Sequence, residues 1–169
     1  MADIDPDLLP EKCLLDTGVL IRALGQRQDA ESEVCRDFFD AMLLAKKIIL
    51  VAAPTVAEML RGNPQKLPRT RSIIVVAFDR EAAELLGTEI PVAVLKETAK
   101  TTGLPHTYMK FDGMIVACAK RWQADCIVAL DSDHTKLASH ISMTVNHPRD
   151  FLVQQTVLPF KRKSSQSGP

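Results

Sequence analysis

Short apolar runs alternate along the chain with longer segments of helical periodicity, and this alternation constrains the fold more than any other feature. A strand followed by a helix and a further strand is the pattern of βαβ units, whose strands are parallel and are covered by helices. No run approaches the length of about 18 apolar residues that a membrane helix needs. The sequence therefore predicts one α/β domain, with a central, mainly parallel sheet of about five strands flanked by helices.

The individual elements follow from the two periodicities, alternating for strands and three-to-four for helices. The predicted strands are 13–15, 48–52, 73–78, 126–130 and 141–145. The predicted helices are 32–46, 54–62, 80–86, 92–101, 112–122 and 134–139, and the predicted loops are 63–72 and 103–110. The domain is expected to span 13–150, between an N-terminal extension, 1–12, and a partly disordered C-terminal extension, 151–169.

Composition argues against some classes of function but does not single out one. The 21 basic and 21 acidic side chains balance, which argues against a strongly basic nucleic-acid binder but leaves open a site with locally separated charges. The four cysteines lack C-x-x-C spacing and are predicted to be free thiols in a reducing compartment. The acidic, proline-containing N-terminus is unlike a signal peptide. A cytoplasmic protein without a membrane partner is expected.

Four acidic residues stand at the ends of predicted elements. Asp16 directly follows the first strand and Asp131 the fourth, while Glu58 lies one turn into the helix after the second strand. Asp112 is predicted to open the helix before the fourth strand. Because ligands of parallel α/β sheets bind outside the carboxyl ends of the strands, these four side chains are expected to converge at one rim. Each alone could instead cap a helix or complement its dipole.

A cluster of carboxylates needs a counter-ion. Two unit charges at 4 Å repel by roughly 4 kcal/mol at an effective dielectric constant near 20. A hard divalent cation with oxygen ligands, Mg²⁺ or Mn²⁺, is therefore expected, and it would acidify a bound water and stabilise charge on a phosphodiester. An acidic pocket repels RNA, so basic side chains nearby should hold the phosphates. The candidates are Arg61, Arg69, Arg71 and Lys110.

The acidic residues lie in three segments that resemble, in the same order, the motifs of PIN-domain nucleases. These segments are LLDTGVLIRAL, APTVAEMLRG and KFDGMIVACAKRWQADCIVALDSD. The resemblance spans about 14–148, and within the family it is strongest to the toxin ribonucleases of VapBC toxin–antitoxin systems. It implies a PIN-like fold, Mg²⁺- or Mn²⁺-dependent endonucleolytic cleavage of RNA, a homodimer and an antitoxin partner.

The resemblance also implies roles residue by residue. It implies as catalytic acids Asp16, Glu58, Asp112 and Asp131, and as metal ligands Asp16, Asp112, Asp131 and Asp133. Thr17 matches the small hydroxyl residue that follows the first acid. Ala129 departs from the usual Thr or Ser, and Gly18 from the common Asn. If the last motif is aligned with the family two residues further along, Asp133 takes the place of Asp131. Which of the two is the principal fourth acid therefore remains open.

Two other functions remain open from the sequence. The segment from Asp131 to Thr135 reads D-x-D-x-T, the nucleophile motif of haloacid-dehalogenase-like phosphatases. That motif ordinarily opens its fold, whereas only 38 residues remain here from Ser132 onward. The other alternative is a catalytically weak PIN-like protein that binds RNA or acts as a scaffold, against which the presence of all four acids argues.

Three further side chains receive simpler interpretations. Trp122 is predicted to be a core residue rather than a platform for stacking bases. His106 and His134 lack the spacing of a zinc site. His134 nevertheless lies near the predicted acids and could contact phosphate.

Overall fold

The computed structural model of the chain describes residues 4–62, 67–103, 105–131 and 133–153. Its strands are β1 Lys12–Leu15, β2 Ile48–Ala52, β3 Ile73–Val76, β4 Cys126–Val128 and β5 Thr144–Asn146. Its α-helices are α1 Thr17–Leu24, α2 Ala30–Leu44, α3 Ala53–Gly62, α4 Arg80–Glu89, α5 Val92–Thr102, α6 His106–Arg121 and α7 Asp133–His140. Two short 3₁₀ helices, Pro6–Leu8 and Pro148–Phe151, flank them.

The five strands form one parallel sheet in the order β3-β2-β1-β4-β5. In the centre, Leu14 of β1 pairs in register with Leu50 of β2 and Ile127 of β4. Because every strand points the same way, all carboxyl ends meet at one rim of the sheet. The predicted α/β class with a parallel five-stranded sheet is confirmed.

Hydrophobic residues cover both faces of the sheet, as a parallel sheet requires. Alternation along β1 directs Leu14 into one core and its neighbours Cys13 and Leu15 into the other. The first core is closed by α4, α5, α6 and α7, and the second by α1, α2 and part of α3. All four cysteines are buried free thiols, which confirms the prediction that they form no disulfide.

Several element bounds differ from the predicted ones. The helix α1 is absent from the sequence-based prediction, and α2 begins at Ala30, two residues before its predicted start, with the Asp29 side chain as its cap. The predicted loop 103–110 is wrong for most of its length, because α6 already begins at His106. Gly103 ends α5 in the left-handed region at φ 71°, and Pro105 immediately precedes α6, so the break needs only three residues.

Segments on both sides of the predicted domain pack against it. Ile4 forms an antiparallel bridge with Leu152, and the Asp5 N–H donates to the Phe151 carbonyl at 2.8 Å. The Phe151 ring lies 4.8 Å from that of Phe38, a fully buried residue of α2. The predictions for 1–3, 63–66 and 154–169 fall outside the described residues.

Trp122 packs partly buried against the first core, in line with a structural role. Its ring N–H donates to the Ala77 carbonyl at 3.0 Å, and the Arg121 guanidinium lies 5.0 Å from its ring centre. Among the helices that the structure describes, none has the length and apolar character needed to cross a membrane.

Candidate active site

The junction of β1 and α1 fixes Asp16 at the rim of the sheet. Its N–H donates to the Val128 carbonyl of β4 at 3.0 Å, and its Oδ2 accepts from the Gly18 N–H at 3.0 Å as the cap of α1. The carboxylate is buried, and Oδ1 is the oxygen that faces the other acids. A β-carbon at Gly18 would lie 3.2 Å from Oδ2, so this close approach favours glycine at the position. Asp16 is thus a helix cap with one oxygen available to the rim.

Glu58 is tied to the same junction through Thr17. The Thr17 hydroxyl donates to Glu58 Oε2 at 2.6 Å, which joins the first turn of α1 to α3. A bond this short between a hydroxyl and a carboxyl oxygen is among the stronger side-chain hydrogen bonds. The contact holds the Glu58 carboxylate next to the residue that follows Asp16.

Asp112 lies in the second turn of α6 rather than at its start, because that helix begins six residues earlier. Its side chain is 21% exposed. The pKa of Asp112 is raised to about 7, chiefly by burial and further by the negative charges of Asp16, Asp131 and Glu58, against the opposing effect of His134. The four acids therefore lie close enough for three of them to act on the ionisation of the fourth.

His134 lies among these acids, more centrally than the sequence predicted. It is 3% exposed, in the first turn of α7. Its Nε2 lies 3.2 Å from Asp16 Oδ1 and 3.8 Å from Asp112 Oδ1, and its Nδ1 lies 3.4 Å from Asp131 Oδ1. Nε2 nevertheless makes no hydrogen bond of good geometry. Its place directly after the acidic pair of the last motif predicted that it lies near the acids, but not that it contacts three of them.

The charges around His134 determine its ionisation. Burial alone lowers the pKa of His134, but the carboxylates of Asp131, Asp16 and Asp112 outweigh that effect, so the pKa lies well above its ordinary value. Correspondingly, the hydrogen bond with His134 lowers the pKa of Asp131. A protonated imidazole therefore balances part of the negative charge when no other cation is bound.

Asp131 and Asp133 take different positions. Asp131, whose side chain is 61% exposed, contacts His134 and accepts from the Asp133 N–H at 3.3 Å. Asp133 is the first residue of α7, and its contact with Asp131 is made by its backbone. Ala129, where a hydroxyl was expected, is buried, and its N–H donates to the Asn146 carbonyl of β5 at 3.0 Å. The structure thus brings the Asp131 carboxylate into contact with His134.

The donor atoms at this rim suit a hard cation, although they do not form a finished cage. Within the described ranges, no three His, Cys, Asp or Glu side chains form a group ready to hold a metal ion. The carboxylates of Asp16, Asp112 and Asp131 are nevertheless the oxygen ligands that Mg²⁺ and Mn²⁺ prefer. The buried Nε2 of His134, which makes no hydrogen bond of good geometry, faces two of these carboxylates. The chemistry of the residues present therefore suits a divalent cation.

The candidate RNA-binding residues fall at two separate edges of the sheet. Arg61 is exposed on α3, three residues after Glu58, and Lys110 is exposed on α6, close in sequence to Asp112. Arg69 and Arg71 are exposed but immediately precede β3, so they lie at the amino ends of the strands. A strand of this length spans about 13 Å. A segment that precedes a parallel strand enters the sheet at the edge opposite the carboxyl ends, so Arg61 and Lys110 follow the expected placement more closely than Arg69 and Arg71 do. RNA binding by any of the four stays a prediction.

Comparisons with known proteins identify one matching family and several similar structures. A family model described as PIN domain matches residues 13–139. No curated protein sequence matches the chain significantly. Among solved structures, FitAcB from Neisseria gonorrhoeae shares 22% identity at a TM-score of 0.51, over 81% of this chain and 98% of that one. FitAB bound to an IR36 DNA fragment shares 25% identity at a TM-score of 0.50, over 80% and 94%. VapBC2 from Rickettsia felis, bound to a DNA fragment from its promoter, shares 13% identity at 0.50, over 80% and 98%.

Proposed function

The chain belongs to the PIN-domain family, and from this membership we propose that it is a metal-dependent endoribonuclease that hydrolyses RNA phosphodiesters. The observation that carries the proposal is the grouping of the Asp16, Asp112 and Asp131 carboxylates around the buried His134 ring at the carboxyl rim. One imidazole can balance only part of the charge of three carboxylates, and like charges in a partly buried site repel. A bound divalent cation would offset the repulsion between the carboxylates, and the cation could in turn hold a phosphodiester.

The ion would be Mg²⁺ or Mn²⁺, held by Asp16, Asp112 and Asp131, with Asp133 as a further candidate ligand beside them. When bound, it would neutralise the acids, acidify a coordinated water and stabilise the charge that develops on the phosphodiester. Asp16 holds its oxygen in place through the cap on Gly18. This fixed geometry reduces the reorganisation required when substrate binds.

Glu58 is the residue best placed to accept a proton. Its Oε2 is held by the Thr17 hydroxyl, so Oε1 is the oxygen that can take a proton from an attacking water. Glu58 is only partly buried and stands near Asp112. We propose Asp16, Glu58, Asp112 and Asp131 together as the catalytic acids.

The first test is cleavage itself. Purified protein supplied with Mn²⁺ is expected to cut an unstructured RNA internally, leaving a 5′-phosphate and a 3′-hydroxyl. EDTA is expected to stop the reaction and added Mn²⁺ to restore it. Labelled RNA resolved on a sequencing gel measures both. Cleavage that persists in EDTA would contradict the metal-dependent mechanism.

The RNA path is proposed to run beside the acids over Arg61 and Lys110. Replacing both with alanine is expected to weaken RNA binding and to reduce the slope of log K against log salt by about 0.7 for each phosphate of a single strand that the protein no longer neutralises. The matched comparison is the Arg69→Ala, Arg71→Ala double variant, which removes the same charge at the opposite edge of the sheet. We expect that variant to bind more nearly as the unaltered protein does. A larger loss of affinity from replacing Arg69 and Arg71 would place the RNA path at that opposite edge.

We further propose that the protein is the toxin of a toxin–antitoxin pair, acting in the cytoplasm as a homodimer whose antitoxin covers the acidic rim. Support comes from its likeness to the FitAB and VapBC complexes. The four buried free thiols agree with a reducing compartment. A short neighbouring gene for a DNA-binding antitoxin would support the pair, whereas its absence would favour a processing nuclease.

A catalytically weak PIN-like RNA-binding or scaffold protein is the second candidate. The observation that favours it is His134, whose imidazole stands between acids that a metal would otherwise bridge. The cleavage test separates the two, because a scaffold would bind RNA without cutting it. The phosphatase alternative receives no support from the family match, which covers nearly the whole described domain.

A further inference from the structure

We infer that His134 is a nitrogen ligand of the metal ion at this site and that Asp131 orients it. The inference rests on the proposed metal-dependent function and adds to it a residue from outside the carboxylate set. It also changes the role of Asp131, from a ligand that contacts the ion to the group that holds the imidazole in place.

One ring nitrogen of His134, Nε2, lacks a well-formed hydrogen bond. His134 is 3% exposed, and its Nε2, which lies 3.2 Å from Asp16 Oδ1 and 3.8 Å from Asp112 Oδ1, makes no hydrogen bond of good geometry with a described residue. A buried polar atom without a well-formed hydrogen bond is unfavourable, and native proteins rarely leave one in that state. A cation bound by both carboxylates would supply the missing partner once the imidazole has given up its Nε2 proton.

The other ring nitrogen of His134, Nδ1, is in contact with the Asp131 carboxylate. Asp131 Oδ1 lies 3.4 Å from His134 Nδ1, one helical turn away from it in sequence. Histidines that bind metals commonly donate their second N–H to a carboxylate, which fixes the tautomer and the ring plane. With Nδ1 held by Asp131, Nε2 is the nitrogen left to coordinate.

The distances from Nε2 to the Asp16 and Asp112 carboxylates are close to the spacing of ligands that share one ion. Ligand atoms that share one ion through bonds of about 2.1 Å lie about 3 Å apart in octahedral geometry. Nε2 is already 3.2 Å from Asp16 Oδ1 and 3.8 Å from Asp112 Oδ1. The first distance already matches the spacing of two ligands on one ion, and the second exceeds that spacing by about an ångström.

A mixed nitrogen and oxygen set changes which ion the site prefers. Imidazole binds later transition ions well and Mg²⁺ poorly, whereas an all-carboxylate site accepts Mg²⁺ readily. We therefore expect the order Mg²⁺ < Mn²⁺ < Co²⁺ in affinity, with the difference between Mn²⁺ and Mg²⁺ depending on His134.

The test measures binding rather than cleavage, on the full chain after removal of metals by a chelator. Mn²⁺ and Mg²⁺ are titrated by calorimetry, and pulsed EPR of the Mn²⁺ complex detects coupling to a directly bound ¹⁴N. His134→Phe, of similar shape, is expected to weaken Mn²⁺ binding at least about tenfold and to remove the nitrogen coupling. Asp131→Asn should weaken Mn²⁺ binding less. The matched control is His140→Phe, at an exposed position of the same helix.

The outcomes separate this inference from the function on which it rests. Mn²⁺ that binds the unaltered chain without nitrogen coupling, or that binds His134→Phe equally or more tightly, overturns the role of His134 and leaves a carboxylate metal site intact. Failure of the unaltered chain to bind either ion refutes the metal-dependent function, and the ligand role with it. Should His134→Phe not fold, the nitrogen coupling in the unaltered chain alone decides.

Discussion

Replacing Asp112 with asparagine is expected to lower RNA cleavage by about 100-fold or more at saturating Mn²⁺. Asparagine keeps the size of the side chain but removes a negative charge from the partly buried group formed with Asp16 and Asp131. Stabilisation of a reacting phosphodiester by a held cation amounts to several kcal/mol, and each 1.4 kcal/mol corresponds to about a factor of ten. Single-turnover cleavage of a labelled RNA measures the reduction.

A matched control is Asp40→Asn, which removes one carboxylate from an exposed position on α2. That variant is expected to cleave at the unaltered rate and to fold equally well by circular dichroism. If Asp112→Asn retained cleavage within about threefold, the acids at the rim would not form the catalytic centre. The site would then have to be sought elsewhere in the domain.

The sheet was predictable because its strands carry their own signal. The central strands β1, β2 and β4 are mostly buried and appear as short apolar runs, and the helical segments between strands favour right-handed crossovers. The helix α1 carries a much weaker signal. Thr17, Gly18 and Val19 all have low helix propensity, so this helix depends on the Asp16 cap and on burial of Val19 and Leu20.

The rim position of Asp16 and Asp131 also followed from the sequence, since a residue just after a parallel strand must lie at the carboxyl edge. The same rule applied to Arg69 and Arg71 would have placed them at the opposite edge, because they precede β3. What topology alone could not supply is the rotation of each helix about its axis. That rotation decides that Thr17 reaches Glu58 and that His134 turns inward.

Ionisation of the site should make the stability of the metal-free protein depend on pH. Asp112 has a pKa of about 7 in the fold, chiefly through burial, against an ordinary value of 3.8. Between these values the native state holds more protons than the unfolded chain, so its stability falls as the pH rises through this window. His134, with a raised pKa, stabilises the fold fully below about 6.5 and loses that contribution as the pH rises through its higher folded value.

Asp131 affects the stability of the fold at the acidic end of the pH range. Its pKa is lowered in the fold, chiefly by the hydrogen bond with His134. A carboxyl of this kind stabilises the native state above its ordinary value, and that stabilisation is lost as the pH falls through the lower, folded value. Its effect is therefore confined to strongly acidic solution. Between pH 4.5 and 8, Asp112 and His134 act in the same direction.

We therefore expect the melting temperature of the metal-free chain to fall as the pH rises from 4.5 to 8. The penalty from Asp112 is at most roughly 3–4 kcal/mol, which corresponds to about 6–15 °C for a chain of this size. Mn²⁺ should restore much of this stability at pH 8, because it binds only the assembled site.

Asp112→Asn should flatten the metal-free profile and be more stable than the unaltered chain at pH 8, while responding less to Mn²⁺. Differential scanning calorimetry across the range, with Asp40→Asn alongside, measures each effect. A profile that Asp112→Asn leaves unchanged would mean that the carboxyl is ionised in the fold without cost, and that the acids at the rim do not repel one another.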